Sequence, residues 1–178
     1  VSDDDLAAGA CKLGRVLVAL DASEYSDRAL EESVRLAKTA AGEITGIHAY
    51  AAMLHDRRFK QMEGGLPERY LEEEEMMYQR DVHDSLITRG LNIISDSYHD
   101  VAAEACAKAE LPFHRLSPEG KNYAKVVEAT KSGNFDVLAL GALGLGAVPG
   151  SLIGTVCERV VRRSPIDTLV IKDSGRAI

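Results

Sequence analysis

Phe135-Asp-Val-Leu-Ala-Leu140-Gly141-Ala-Leu-Gly144-Leu-Gly-Ala-Val-Pro-Gly150-Ser-Leu-Ile-Gly154-Thr155 is the stretch on which the reading of this chain turns. Its mostly apolar start, just after the breaker Gly133-Asn134, reads as a short strand buried on both faces. A glycine-rich turn follows directly. Val156, Val160 and Val161 then give the apolar side of a helix running to about Arg163. Ser164-Pro165 stops that helix, because proline cannot continue it and restrains its predecessor. Asp167-Thr-Leu-Val-Ile171 is the next strand, and strand–helix–strand is the unit of a parallel sheet.

The opening of the chain has the same form. Arg15-Val-Leu-Val-Ala-Leu-Asp21 is an apolar run that ends in an acid. Ser23 and Ser26 offer helix N-caps, and Leu30, Val34, Ala37 and Ala41 recur at helical spacing. Gly42 sits where a C-cap glycine would end that helix, and Ile44 to Tyr50 gives a second strand. Further on, Phe113 to Leu116 reads as a short strand. Asn122 is placed to cap a helix whose inner face carries Tyr123, Val126, Val127 and Thr130. Between the two halves, a loop from Ala51 to Pro67 leads into a helix with proline at its first position. Leu71, Tyr78 and Val82 share one face of it, and Glu72 to Glu75 is a solvated charge run. A separate helix is expected over about Asp96 to Glu110, with Val101, Ala105 and Ala109 inward. The expectation is one α/β domain over residues 14–172, with residues 51–97 as an inserted loop and helix. A flexible segment (1–13) and a polar tail (173–178) flank it.

In open parallel sheets, ligands bind outside the carboxyl ends of the strands, where strand order reverses. Glycines there let consecutive amides approach an anion without a Cβ in the way. Thr155-Val-Cys-Glu158 matches a capping box, and the helix it opens points its unpaired N–H groups at the glycine turn. A phosphate is therefore the ligand this turn suits. No GxxxxGK[ST] loop occurs, and Gly144-x-Gly146-x-x-x-Gly150 has the wrong spacing for a dinucleotide fingerprint. The alternative is that these glycines only make turns and close packing.

The formal net charge of -7 argues against a nucleic-acid partner held by bulk electrostatics. Three cysteines, Cys11, Cys106 and Cys157, form neither a disulfide framework nor a zinc pattern, and a cytoplasmic setting follows from that usage. No apolar run approaches a membrane span. His48, on the second strand, reads as a core histidine.

The pattern Gly141-x2-Gly144-x9-Gly154-Thr155 resembles the nucleotide signature of the ATP-binding universal stress proteins. Val156 to Ile171 is similar to the end of that domain, and Val16-Leu-Val-Ala-Leu-Asp21-Ala-Ser23 to its beginning. The resemblance covers about Gly14 to Tyr50 and Pro112 to Lys172. It implies a doubly wound five-stranded parallel sheet of order 3-2-1-4-5 with helices on both faces; the helical insertion between strands 2 and 3, Ala51 to Ser97, is longer than typical of the family and does not match it. It implies that ATP or AMP binds, with Mg as a companion ion. Asp21 would contact adenine or ribose, Ala19 and Ala49 would line the adenine slot, and Leu140 and Gly141 would lie against the ribose. Gly144, Gly154, Thr155 and Val156 would hold the phosphates. It also implies a homodimer through the last strand, Thr168 to Ile171, with the insert as a second candidate surface. No catalytic residue and no protein metal ligand is assigned. A slow ATPase or nucleotidyl transferase, and a nucleotide-free dimerisation module, are the competing readings. Ala142-Leu143 stands where many members carry a polar or basic pair, and no Lys or Arg lies between Gly141 and Thr155.

Overall fold

The computed structural model describes residues 13–51, 61–62, 64–65, 67–68, 74–148 and 150–172. In chain order the elements are β1 (Arg15–Ala19), α1 (Glu24–Thr39), β2 (Glu43–Ile47), α2 (Glu74–Lys108), β3 (Phe113–Leu116), α3 (Asn122–Ser132), β4 (Val137–Gly141), α4 (Thr155–Val161) and β5 (Asp167–Ile171). All neighbouring strands are parallel, in the order β3-β2-β1-β4-β5. The chain winds outward through β2 and β3, then returns across β1 to start β4. The strand order therefore reverses between β1 and β4.

Alternation along the strands separates two apolar layers. Val16 and Val18 of β1 join Ile44, Val137 and Ala139 on one face, under Ala29, Leu30 and Ala37 of α1 and Ala102 and Cys106 of α2. Leu17, Ile47, Leu138 and Leu140 face the other way, under Val126 and Val127 of α3 and Cys157 and Val160 of α4. The central strands are thus covered on both sides, as their unbroken apolar runs require. At the end of the sheet remote from the reversal's carboxyl edge, Arg15 clamps β1 to the start of β4. Its amide donates to Asp136 Oδ2 at 2.8 Å and its guanidinium to Oδ1 at 3.0 Å. Those donors hold the Asp136 carboxyl below the usual carboxylate range.

Several local expectations are corrected. The helix expected after Pro67 and the separate one expected over about Asp96 to Glu110 are one, α2, and Asp96 lies within it rather than at its start. The expected beginning at Pro67 cannot be traced, because residues 69–73, Leu71 among them, lie outside the described residues. Val101 does not point inward; it is 59% exposed, while Ala102 and Cys106 are fully buried. The inner stripe is Ser95, His99, Ala102 and Cys106, one residue on from the expected phase. Two of its members are polar, which hid it from an apolar pattern. β2 ends at Ile47, and Tyr50 belongs instead to an isolated bridge with Glu119.

The helix ends differ as well. The C-cap of α1 is Ala40, not Gly42. Ala41 takes the left-handed conformation (φ 48°), while the Gly42 amide donates to Ala37 O and the Ala41 amide to Lys38 O. This is a Schellman ending with alanine in the place glycine usually fills. Gly42 is needed for another reason: a Cβ there would overlap the Gly14 carbonyl. Asn122 is the first residue of α3 rather than its cap; Lys121 holds that position, without a side-chain bond.

Candidate functional site

β1 stops at Ala19, and the next seven residues fold back on themselves. Ser23 is the N-cap of α1, accepting from the Ser26 amide at 3.2 Å. The same hydroxyl donates to Asp21 Oδ1 at 2.6 Å, and the Ser23 amide donates to that oxygen at 3.0 Å. Ser26 Oγ closes the knot by donating to Ala19 O and accepting from the Asp21 amide, both at 3.2 Å. Asp21 is thereby fixed through Oδ1, with Oδ2 turned toward Gly144: a Cβ built on Gly144 would lie 2.5 Å from it.

The three glycines of the pattern have different reasons to be glycine. At Gly141 a Cβ would press on Tyr25 Cβ (2.6 Å) and on the Tyr25 backbone. Gly144 leaves room for the Asp21 carboxylate. Gly154 has extended backbone (φ -79°), and the nearest atom to an added Cβ is Ala142 O at an ordinary 3.4 Å. Among the described residues packing therefore demands glycine at 141 and 144 but gives no such reason at 154. Between them, Gly150 takes φ 84°, a conformation that favours glycine.

The turn also sorts its amides. Ala142 N donates to Ile171 O and Gly154 N to Ala142 O, both at 2.7 Å, and Ala147 N to Gly144 O at 3.0 Å. Gly154 is the N-cap of α4 and makes no side-chain cap bond, so the expected Thr155–Glu158 capping box does not form. Thr155 is the first helical residue, and its hydroxyl is left to other uses. Glu158 pairs instead with Arg162 at 3.0 Å, an i,i+4 contact along the helix. The first amide of α4 that finds a backbone acceptor is that of Glu158. Among the described residues the amides of Gly144, Thr155 and Val156, like several others in the turn, make no hydrogen bond.

These pieces border one cleft of about 440 Å³ at the carboxyl ends of β1 and β4. All nine residues singled out in the sequence line it: Ala19, Asp21, Ala49, Leu140, Gly141 and Gly144, with Gly154, Thr155 and Val156. The cleft also has walls that the sequence did not reveal. Asn122 and Val126 enter from α3, Tyr98 from α2, and Ser26 from α1. His48, expected to be a core residue, lines the cleft as well. Its ring meets Tyr98 edge-on, with centroids 4.9 Å apart and planes at 77°. Its Nδ1 is buried without a partner, and burial lowers the imidazole pKa against the opposing pull of Asp21. A histidine on a buried strand gives no sign of which end of the strand opens to solvent, so only the tertiary structure shows this one.

Residues 12–172 match the model of the Universal stress protein family. The chain belongs to that family. Universal stress protein YxiE of Bacillus subtilis is 22% identical over 158 residues, covering 89% of this chain and 98% of the relative. Among solved structures, hypothetical protein MJ0577 superposes with a TM-score of 0.71 at 16% identity, over 93% of this chain and 99% of its own. A universal stress protein in complex with cAMP gives 0.58 at 20% identity, over 92% and 99%. The Arabidopsis thaliana family member with AMP bound gives 0.57 at 14%, over 90% and 92%. These likenesses establish the shared five-stranded fold, whose topology is the one described above.

Proposed function

We propose that residues 14–172 act as one adenine-nucleotide-binding regulatory module, taking ATP or AMP in the cleft between β1 and β4. The observation that carries this reading is Gly154. Among the described residues nothing needs a glycine there, yet its neighbours Thr155 and Val156, which line the cleft, have unpaired amides. Such an opening suits a phosphate that must approach the main chain closely. Two structural neighbours are described as binding cAMP and AMP, which favours the adenine nucleotide class.

In this reading Gly144, Thr155 and Val156 hold phosphates through backbone amides and the Thr155 hydroxyl. Gly154 supplies clearance rather than a donor, since its amide already serves Ala142 O. Asp21 stands at the ribose side, between Ala19 and the turn. Its free Oδ2 suits one ligand of a Mg ion whose remaining ligands are phosphate oxygens and water. Among the described residues no cluster of three metal-ligating side chains exists, so the protein alone would hold such an ion poorly. Binding would stabilise the folded state by mass action and order the turn.

The module is proposed to be a homodimer through β5 and to reside in the cytoplasm. Among the described residues no helix is long and apolar enough to cross a membrane. Gly154→Val tests the site directly. We expect loss of ATP and AMP binding by calorimetry with an unchanged circular dichroism spectrum. Unchanged affinity in that variant would overturn the cradle. Native mass spectrometry separates the alternatives: co-purified ATP fits a binding module, ADP with measurable turnover fits a slow ATPase, and an empty dimer indifferent to nucleotide fits neither.

A further inference from the structure

The cleft has two chemically different ends. One is the glycine turn at β4 and α4, lined by amides. The other lies beyond β1, where Leu20, Ile47, His48, Ala49 and Tyr98 form the wall. β4 and β2 are two strand spacings apart, about 10 Å. A ligand that fills both ends therefore needs a polar head and, roughly that far away, a flat apolar body. Burial lowers the His48 pKa against the opposing pull of Asp21, which disfavours an imidazolium charge at this end.

Tyr98 is the only residue of α2 among the described residues that reaches the cleft. Its position is unusually well fixed. Immediately after it, His99 is fully buried and its Nε2 lies 3.0 Å from Ser117 Oγ. Ser95, one turn earlier, is 1% exposed and lies 2.9 Å from the same hydroxyl. Ser117 directly follows β3, so the helix is pinned to the sheet on either side of the Tyr98 backbone. The ring itself is braced edge-on against His48 at 4.9 Å. A ring held in place before the ligand arrives loses little freedom on binding.

We propose that Tyr98, backed by His48, is the wall against which the base of a bound purine nucleotide rests, so that α2 closes the base end of the site. The proposal rests on the nucleotide reading above and adds to it a residue and a ligand shape. Aromatic contact of this kind responds to the ring and is indifferent to the phosphates. The two ends of the cleft can therefore be probed separately.

Calorimetric titrations of ATP and of inorganic tripolyphosphate into wild-type protein, Tyr98→Leu and Tyr98→Phe make the test. Leucine keeps the apolar packing against the core and removes the ring, while phenylalanine keeps the ring. We expect Tyr98→Leu to bind ATP about tenfold more weakly and tripolyphosphate as the wild type does, with Tyr98→Phe restoring ATP affinity. Wild-type protein that binds ATP while Tyr98→Leu binds it equally well overturns the wall alone. A loss shared in proportion by ATP and tripolyphosphate also overturns it, because the effect would then lie in the turn. Wild-type protein that binds no ATP overturns the nucleotide reading, and the wall with it.

Discussion

Asp21 and Gly144 occupy the same small space from opposite sides of the cleft. Any side chain at 144 must displace Asp21 Oδ2, and the carboxylate cannot turn without straining the two bonds from Ser23 that fix Oδ1. Ser23 is also the cap of α1, so the disturbance reaches a helix end. We expect Gly144→Ala to lower stability by about 1 kcal/mol, the low end of overpacking costs. Gly154→Ala should change it by a few tenths at most, given its extended backbone and the ordinary contacts an added Cβ would make. Urea midpoints of the two variants, measured side by side, check the contrast; equal losses would show that the two glycines serve the same purpose. The sequence carried the identity and spacing of these glycines in full. It could not assign their separate reasons. Whether a Cβ fits depends on Asp21 and Tyr25, which lie over a hundred residues away along the chain. The same holds for Thr155: its pattern matched a capping box, but the carbonyl of Ala142 captured the Gly154 amide and placed the cap one residue earlier.

Strands were the most legible elements, because short apolar runs bounded by polar residues have few other readings; their order came only with the family resemblance. Helix phase in α2 was not. Its inward stripe uses Ser95 and His99, held by Ser117, so the buried face is polar in part and the apolar residues Ile93, Ile94 and Val101 are exposed instead. β5 presents a different problem. It pairs with β4 on one side only, and its middle residue, Leu169, is 36% exposed. An apolar strand with an open edge invites another strand. If two copies join antiparallel through Thr168 to Ile171, Leu169 falls close to its own counterpart on the two-fold axis. Leu169→Asp would then set like charges opposite one another, an unfavourable cross-strand pair. We expect the variant to run as a monomer in size-exclusion chromatography with light scattering, under conditions where the wild type is a dimer. A Leu169→Asp variant that remains dimeric would move the interface away from β5.

At the scale of the whole molecule, two imidazoles, the buried His99 and the half-buried His48, make stability depend on pH. Burial lowers the pKa of both His48 and His99. For His99 the charges of Arg115 and His48 add to that effect, and Asp96 opposes it. The unfolded chain has no such restraint, and its histidines protonate near pH 6.5. Below that pH the unfolded state takes up protons that the folded state refuses, so stability falls as pH falls, by up to about 1.4 kcal/mol per pH unit for each histidine. The decline should begin near pH 6.5 and level off once the folded-state values are passed. Asp136 adds a second, lower step. Its folded pKa is depressed, so its pairing with Arg15 supports the fold above about pH 4 and is lost as pH drops through the folded value. Above pH 7 none of these groups changes state. Urea midpoints between pH 7.5 and 5 should therefore drop in the wild type and drop less steeply in His99→Gln, compared as slopes so that any uniform loss from the substitution cancels. A flat wild-type profile over that range would mean that the folded protein protonates these rings as readily as water does, which is incompatible with imidazoles enclosed between α2 and the sheet.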